Sequence, residues 1–191
     1  MTRRRESTAE RRARRDAVDD PAIVLDAAAR FLQARPRSTA EVRRRLGEAG
    51  YRTDLVEQAI AGLAALGYLD DEAFARAWVE SRDRARPRGE RALRAELRRK
   101  GVADDVVATI IEDRASPGAG GRAEADAGGG PDDLAAGRLL ERRGAAAARE
   151  VDPRRRRARA YALLARNGFD PEVAGRAVAA WLVGAAVDLE E

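Results

Sequence analysis

Residues 97–111 read Leu97-Arg98-Arg99-Lys100-Gly101-Val102, then Ala103-Asp104-Asp105-Val106-Val107, then Ala108-Thr109-Ile110-Ile111. The stretch spells a helix end, a corner and a helix start. Leu97 closes the apolar stripe of one helix. Gly101 takes the left-handed position that ends it, because a residue without Cβ enters that conformation at little cost. Val102 packs at the corner. Val106 and Ile111 then belong to the stripe of a second helix, and Asp104 is placed to cap it.

The same pattern occurs twice more. Leu46 is followed by Gly50-Tyr51, Leu55 and Ile60, and Leu164 by Gly168-Phe169, Val173 and Val178. Three matches at five spaced positions predict an internal repeat. The glycines stand 51 and then 67 positions apart. The extra 16 positions match residues 115–131, a run of Gly, Ala, Pro and polar residues that reads as a flexible linker. Capping signals agree: Ser38 with Glu41 forms a capping box, and Asp152-Pro153 and Asp170-Pro171 place an acid before Pro at the first helical position. A further helix precedes each pair, over 22–34 (Val24, Ala28, Phe31, Leu32), 71–84 (Phe74, Trp78, Val79) and 132–143 (Leu134, Leu139, Leu140). The expected fold is therefore all-α, with tandem three-helix repeats in three units over 20–67, 68–114 and 132–184. Residues 1–19 read as a disordered basic arm, and 185–191 as an acidic tail.

Composition narrows the function. The 191 residues contain neither Cys nor His, which excludes disulfides, thiolate nucleophiles, zinc sites with N/S ligands and Ser-His-Asp triads. Carboxylates, Lys100 and hydroxyls remain, but no spacing organises them, and no phosphate-binding Gly loop is present. The expectation is a protein that is not an enzyme and has no cofactor or metal. No apolar run approaches the roughly 20 residues of a membrane span. The basic N-terminus lacks the apolar segment of a secretory signal. A cytoplasmic monomer is expected.

The formal charge is +4, with Lys100 as the only lysine, so arginine abundance also reflects a GC-rich coding bias. Placement says more than number. At about 100° per residue, Arg91, Arg94 and Arg98 share a face away from Leu93 and Leu97. Arg155, Arg159 and Arg166 fall opposite Leu164, and Arg37 and Arg44 opposite Leu46. Residues 82–100 carry nine cations, Arg82 and Lys100 among them, against Asp83, Glu90 and Glu96. Such a ridge suits acidic protein surface or DNA phosphate; the alternative is a solvated helix face. Candidate partner-binding residues are Arg37, Arg44, Arg82, Arg91, Arg94, Arg98, Lys100, Arg155 and Arg159. Asp70, with Asp71 and Glu72, reads as a helix start rather than a metal or acid–base site. Tyr68, Phe74 and Trp78 read as core before base-stacking residues, and Trp181 as packing in the third unit.

One stretch carries a resemblance. Gly67-Tyr68-Leu69-Asp70-Asp71, then Phe74-Ala75, then Arg82, then Glu96-Leu97 with Lys100-Gly101-Val102, resembles the signature of the RecX family. Ser38 through Tyr51 is similar to that family's first repeat, and Arg159 through Phe169 to its last. The sequence departs from the family at Arg86-Pro87-Arg88-Gly89, where a Lys-Gly-Pro element is usual, and in the 115–131 insertion and the basic arm. The resemblance implies an elongated, curved stack of three-helix units. It implies binding in the groove of the RecA–single-stranded-DNA filament, and reduction of its ATPase, strand-exchange and LexA-coprotease activities. Single-stranded or duplex DNA is a further partner class, through a direct DNA-binding helical module.

Overall fold

The computed structural model describes residues 7–116 and 129–187, with side chains to residue 184. Eleven helices are found among them, and no strand. They are α1 (Thr8–Asp16), α2 (Pro21–Gln33), α3 (Thr39–Ala49), α4 (Thr53–Ala65), α5 (Asp71–Ala85), α6 (Glu90–Arg99), α7 (Asp104–Ala115), α8 (Pro131–Arg143), the short α9 (Ala145–Ala148), α10 (Pro153–Arg166) and α11 (Pro171–Val187). Three consecutive three-helix groups follow: α2–α4, α5–α7, and α8 with α10 and α11. The chain divides into two compact units, one running to Phe74 and including Lys100–Ala103, the other Ala75–Arg99 with Asp104 onward.

Each group is built the way its sequence pattern requires. In the first, Val24 and Ala28 of α2 meet Val42 and Leu46 of α3 and Leu55, Ala59 and Ile60 of α4. In the last, Ala135, Leu139 and Leu140 of α8 meet Ala160 and Leu164 of α10 and Ala174 and Val178 of α11, with Trp181 packed alongside. Alanines let helices approach closely where few aromatic anchors exist. Ser38 and Asp152 cap α3 and α10, and Asp70 accepts from the Ala73 N–H at 2.9 Å, each satisfying donors of a helix's first turn.

The middle helices α3, α6 and α10 end in glycines with positive φ: Gly50 at 98°, Gly101 at 77° and Gly168 at 82°. Two of these glycines also form a joint that recurs. In the first unit Gly101 lies so close to Ala40 of α3 that a Cβ would overlap it. Beside it the Ser38 hydroxyl donates to the Lys100 carbonyl, and the Thr39 N–H donates to Asp71 at 2.8 Å. In the second unit Gly168 lies equally close to Ala92 of α6, the Gly89 N–H donates to the Asn167 carbonyl at 3.0 Å, and the Glu90 N–H donates to Asp132 at 3.0 Å. A middle helix thus begins on the glycine corner of the next group, and an aspartate from that group's first helix takes its first free N–H. At α10 the same donors are met internally: Asp152 accepts from the Arg154 and Arg155 N–H groups, and Pro153 has no N–H to satisfy.

Asp132 has a second duty. Arg114 of α7, its side chain only 8% exposed, binds Asp83 of α5 through two contacts of 2.9 Å and Asp132 of α8 at 2.6 Å. Burial opposes the guanidinium charge, but these hydrogen bonds outweigh it and raise the group above its usual value.

Two expectations are corrected. The arm over residues 1–19 is not wholly without structure. Residues 1–6 lie outside the described residues, but Thr8–Asp16 form α1. Its Ser7–Glu10 capping box is complete, and it contains no buried residue, so apolar spacing gives no sign of it. Contacts with the end of α3 hold it: Arg15 donates to the Ala49 carbonyl at 3.3 Å and lies 5.7 Å from the Tyr51 ring, while Arg12 lies so close to Gly50 that a Cβ there would overlap it. Tyr68 is 67% exposed rather than in the core, because the chain turns left-handed at Gly67 and delivers Leu69 inward instead. Within the predicted linker, residues 117–128 lie outside the described residues; α7 ends at Ala115 and α8 starts at Pro131. Of the acidic tail, 188–191 lie outside them, and α11 runs on to Val187.

The joint makes a measurable prediction. Gly101→Ala and Gly168→Ala each combine a left-handed strain with a steric overlap, so each should cost about 2–4 kcal/mol. Gly67→Ala, at φ 73° with nothing within 4 Å, should cost only about 1–2 kcal/mol. Urea unfolding of the three variants checks this; equal losses would show that the close approach contributes nothing.

Candidate functional site

The predicted ridge residues part into two groups. Arg37, Arg82 and Lys100 are committed to internal partners. Arg37 lies over the Phe31 ring at 4.2 Å. Arg82 is 22% exposed; it binds Glu96 at 2.6 Å and stacks on Trp78 at 4.2 Å, while the Trp78 indole donates to the same carboxylate at 2.9 Å. Glu96 is thereby buried but satisfied, with Arg88 also 3.4 Å away. Lys100 binds Glu41 at 2.8 Å across the first joint. The sequence signature places Arg82 near Glu96 and Lys100, yet nothing in it names Glu41 and Glu96 as their partners.

The remaining candidates sit on the outer faces of the middle helices. Arg44 on α3 is exposed and has no ion pair among the described residues. On α6, Arg91 is 3.5 Å from Asp170, Arg94 is 2.7 Å from Glu90, and Arg98 is 2.7 Å from Asp104. On α10, Arg155 is 3.8 Å from Asp152 and Arg159 is 3.0 Å from Glu150. Each of these helices buries its leucine opposite: Leu46 at 3% exposure, Leu93, Leu97 and Leu164 at none. Exposed pairs of this kind contribute only about 0–1 kcal/mol, so an incoming anion can displace the carboxylate at small cost.

Sequence reasoning missed a second basic feature. Arg86 and Arg143 are exposed and, among the described residues, without a carboxylate partner, and Arg142 donates to the carbonyls of Arg84 and Ala85 at 2.9 and 3.4 Å. Arg86, Arg142 and Arg143, with Arg88, surround one small cavity. The signal is absent from local spacing because α5 and α8 are far apart in the chain.

Among the described residues no group of three or more His, Cys, Asp or Glu is arranged to hold a metal ion. No helix among them is long and apolar enough to cross a membrane.

The fold defines a class: an all-helical protein of tandem three-helix units with cations on the outer faces of its middle helices. Family models match the first two of these groups. Residues 25–63 match the first three-helix domain of RecX, and residues 70–110 the second. The regulatory protein RecX of Mycobacterium tuberculosis (strain ATCC 25618 / H37Rv) is 42% identical over 95 residues, half of this chain and 55% of that protein. That of Mycobacterium sp. (strain JLS) is 44% identical over 84 residues, 44% of this chain and 46% of that protein. The chain thus matches about half the length of these curated relatives. The crystal structure of RecX from Lactobacillus salivarius superposes with a TM-score of 0.67 at 18% identity, covering 84% of this chain and 95% of that one, and so shares the fold. Residues 25–110 thus belong to the RecX family by their two matched domains.

Glu41 yields a pH prediction. Burial raises its carboxyl, but hydrogen bonds from Lys100, Arg35 and the Ser38 N–H outweigh this and hold it below the usual glutamate value. A folded value below the unfolded one means that the stabilisation is complete above the unfolded value and is lost as pH falls through the folded one. Denaturation midpoints should therefore fall below about pH 4–5. Glu41→Gln, about 2 kcal/mol less stable at neutral pH, should show a shallower acid loss. An unchanged acid profile in the variant would remove Glu41 from this role.

Proposed function

We propose that this protein binds the RecA–single-stranded-DNA filament and lowers its ATPase, strand-exchange and LexA-coprotease activities, without chemistry of its own. The observation that carries the reading is the recurrence of outward cations on α3, α6 and α10, in a fold shared with proteins named as regulators. Arg44, Arg91, Arg94, Arg98, Arg155 and Arg159 are the contact residues. They meet acidic protein surface or backbone phosphate, with charge complementarity setting encounter and orientation. Arg37, Arg82 and Lys100 contribute through the fold, by holding Phe31, Glu96 and Glu41.

RecA ATPase on single-stranded DNA tests the reading directly. Added protein should inhibit it; full activity at a micromolar excess overturns the proposal. The contact residues are tested by Arg94→Glu with Arg98→Glu. Because their pairs with Glu90 and Asp104 are exposed, the variant should keep its helicity and unfolding midpoint within about 1 kcal/mol. Filament binding should weaken about tenfold, corresponding to about 1.4 kcal/mol. Unchanged binding places the contact elsewhere.

A further inference from the structure

Several exposed arginines of this protein face carboxylates: Arg43 faces Glu57, Arg76 faces Asp113, Arg98 faces Asp104 and Arg176 faces Asp133. One cavity in the second unit instead gathers four arginines together. The ends of α5, α8 and α10 surround a cavity of about 90 Å³ lined by Arg86, Arg88, Arg142, Arg143 and Asn167, and no carboxylate lines it.

Part of that charge has a structural explanation. The end of a helix carries roughly half a negative charge, and arginine near the last carbonyls neutralises it. Arg142 does so for α5, donating to the carbonyls of Arg84 and Ala85. Arg88 is held by Glu96 at 3.4 Å and donates to the Asn167 side-chain oxygen. The balance does not close on these terms. Four guanidinium charges face about one and a half units from three helix ends and the single carboxylate of Glu96. Between one and two positive charges are left over, and Arg86 and Arg143 carry them with no acid partner among the described residues. Arg84, also exposed and without an ion pair among the described residues, adds to the field beside it.

We propose that this cavity is a phosphate-binding site that takes one backbone phosphodiester of a single DNA strand. The size suits one phosphoryl group rather than a nucleotide. The excess charge matches the single negative charge of a phosphodiester. Guanidinium forks donate in pairs to phosphate oxygens, which an ammonium would not reproduce. Arg86 and Arg143 are the ligating cations, and Arg142 and Arg88 are already oriented by their protein partners. The site needs no recombinase, so it stands or falls apart from the filament reading. Free inorganic phosphate shares the chemistry and is separated from the strand by the experiment.

The test is fluorescence anisotropy of a labelled single-stranded oligonucleotide with the full chain, without RecA, across a salt series. Arg86→Gln with Arg143→Gln should lower affinity about tenfold at low salt. It should also flatten the slope of log affinity against log salt by about 0.7, the contribution of one phosphate contact on a single strand. Arg30→Gln with Arg149→Gln, an equal charge loss away from the cavity, should leave both within twofold. Circular dichroism confirms folding of each variant. Absence of oligonucleotide binding by the parent chain overturns the proposal, as does an equal effect of the two double variants. Loss of inorganic-phosphate binding in Arg86→Gln with Arg143→Gln, with the oligonucleotide unaffected, overturns it in favour of a free-anion site.

Discussion

The structure depends on a close approach between a left-handed glycine and the first turn of a helix. Gly101 against Ala40 and Gly168 against Ala92 leave no room for a Cβ. That proximity lets an aspartate from the adjoining first helix, Asp71 or Asp132, accept the first free N–H of the middle helix. A helix start carries four unpaired donors, and burying one without a partner is costly. Here the requirement is met by the next group in sequence, so each start is completed only when its successor is folded. In a sequence with few large aromatic residues, such polar completion supplements apolar packing.

The same logic accounts for the fate of the cations. Where two groups meet, positive charge is drawn inward. Lys100 holds Glu41, Arg114 ties Asp83 to Asp132, and Arg88 reaches both Glu96 and Asn167. Removing one member of such a buried set leaves a charge without a partner, which costs far more than the intact pair contributes. Away from these junctions, arginines lie on solvated helix faces in pairs that an anionic partner can open. One chemical group thus serves cohesion at the joints and recognition on the faces, and burial separates the two.

Helix α1 shows how far local signals reach. Ser7-Thr8-Ala9-Glu10 is the same tetrapeptide as Ser38-Thr39-Ala40-Glu41, and both form complete capping boxes. In α3, Val42 and Leu46 follow at core spacing; the corresponding positions of α1 are Arg11 and Arg15. An apolar-stripe reading finds the first and misses the second. The polar start alone was sufficient signal, and Gly50 supplies the place where α1 docks.

The sequence by itself determined the helices, their caps, the glycine corners and the threefold repetition, because those signals lie within a few residues of one another along the chain. It also placed the leucine stripes, so the outer face of each middle helix was legible from periodicity. Only the tertiary structure decided which cations are spent and which are left over. Arg82 and Lys100 looked like ridge residues until Glu96 and Glu41 came beside them from 14 and 59 positions away. Nothing along the chain joins Arg86 to Arg143 until α5 and α8 close on one cavity. The physical reason is that the worth of a charge is set by its neighbours and its burial, and both are properties of the folded chain.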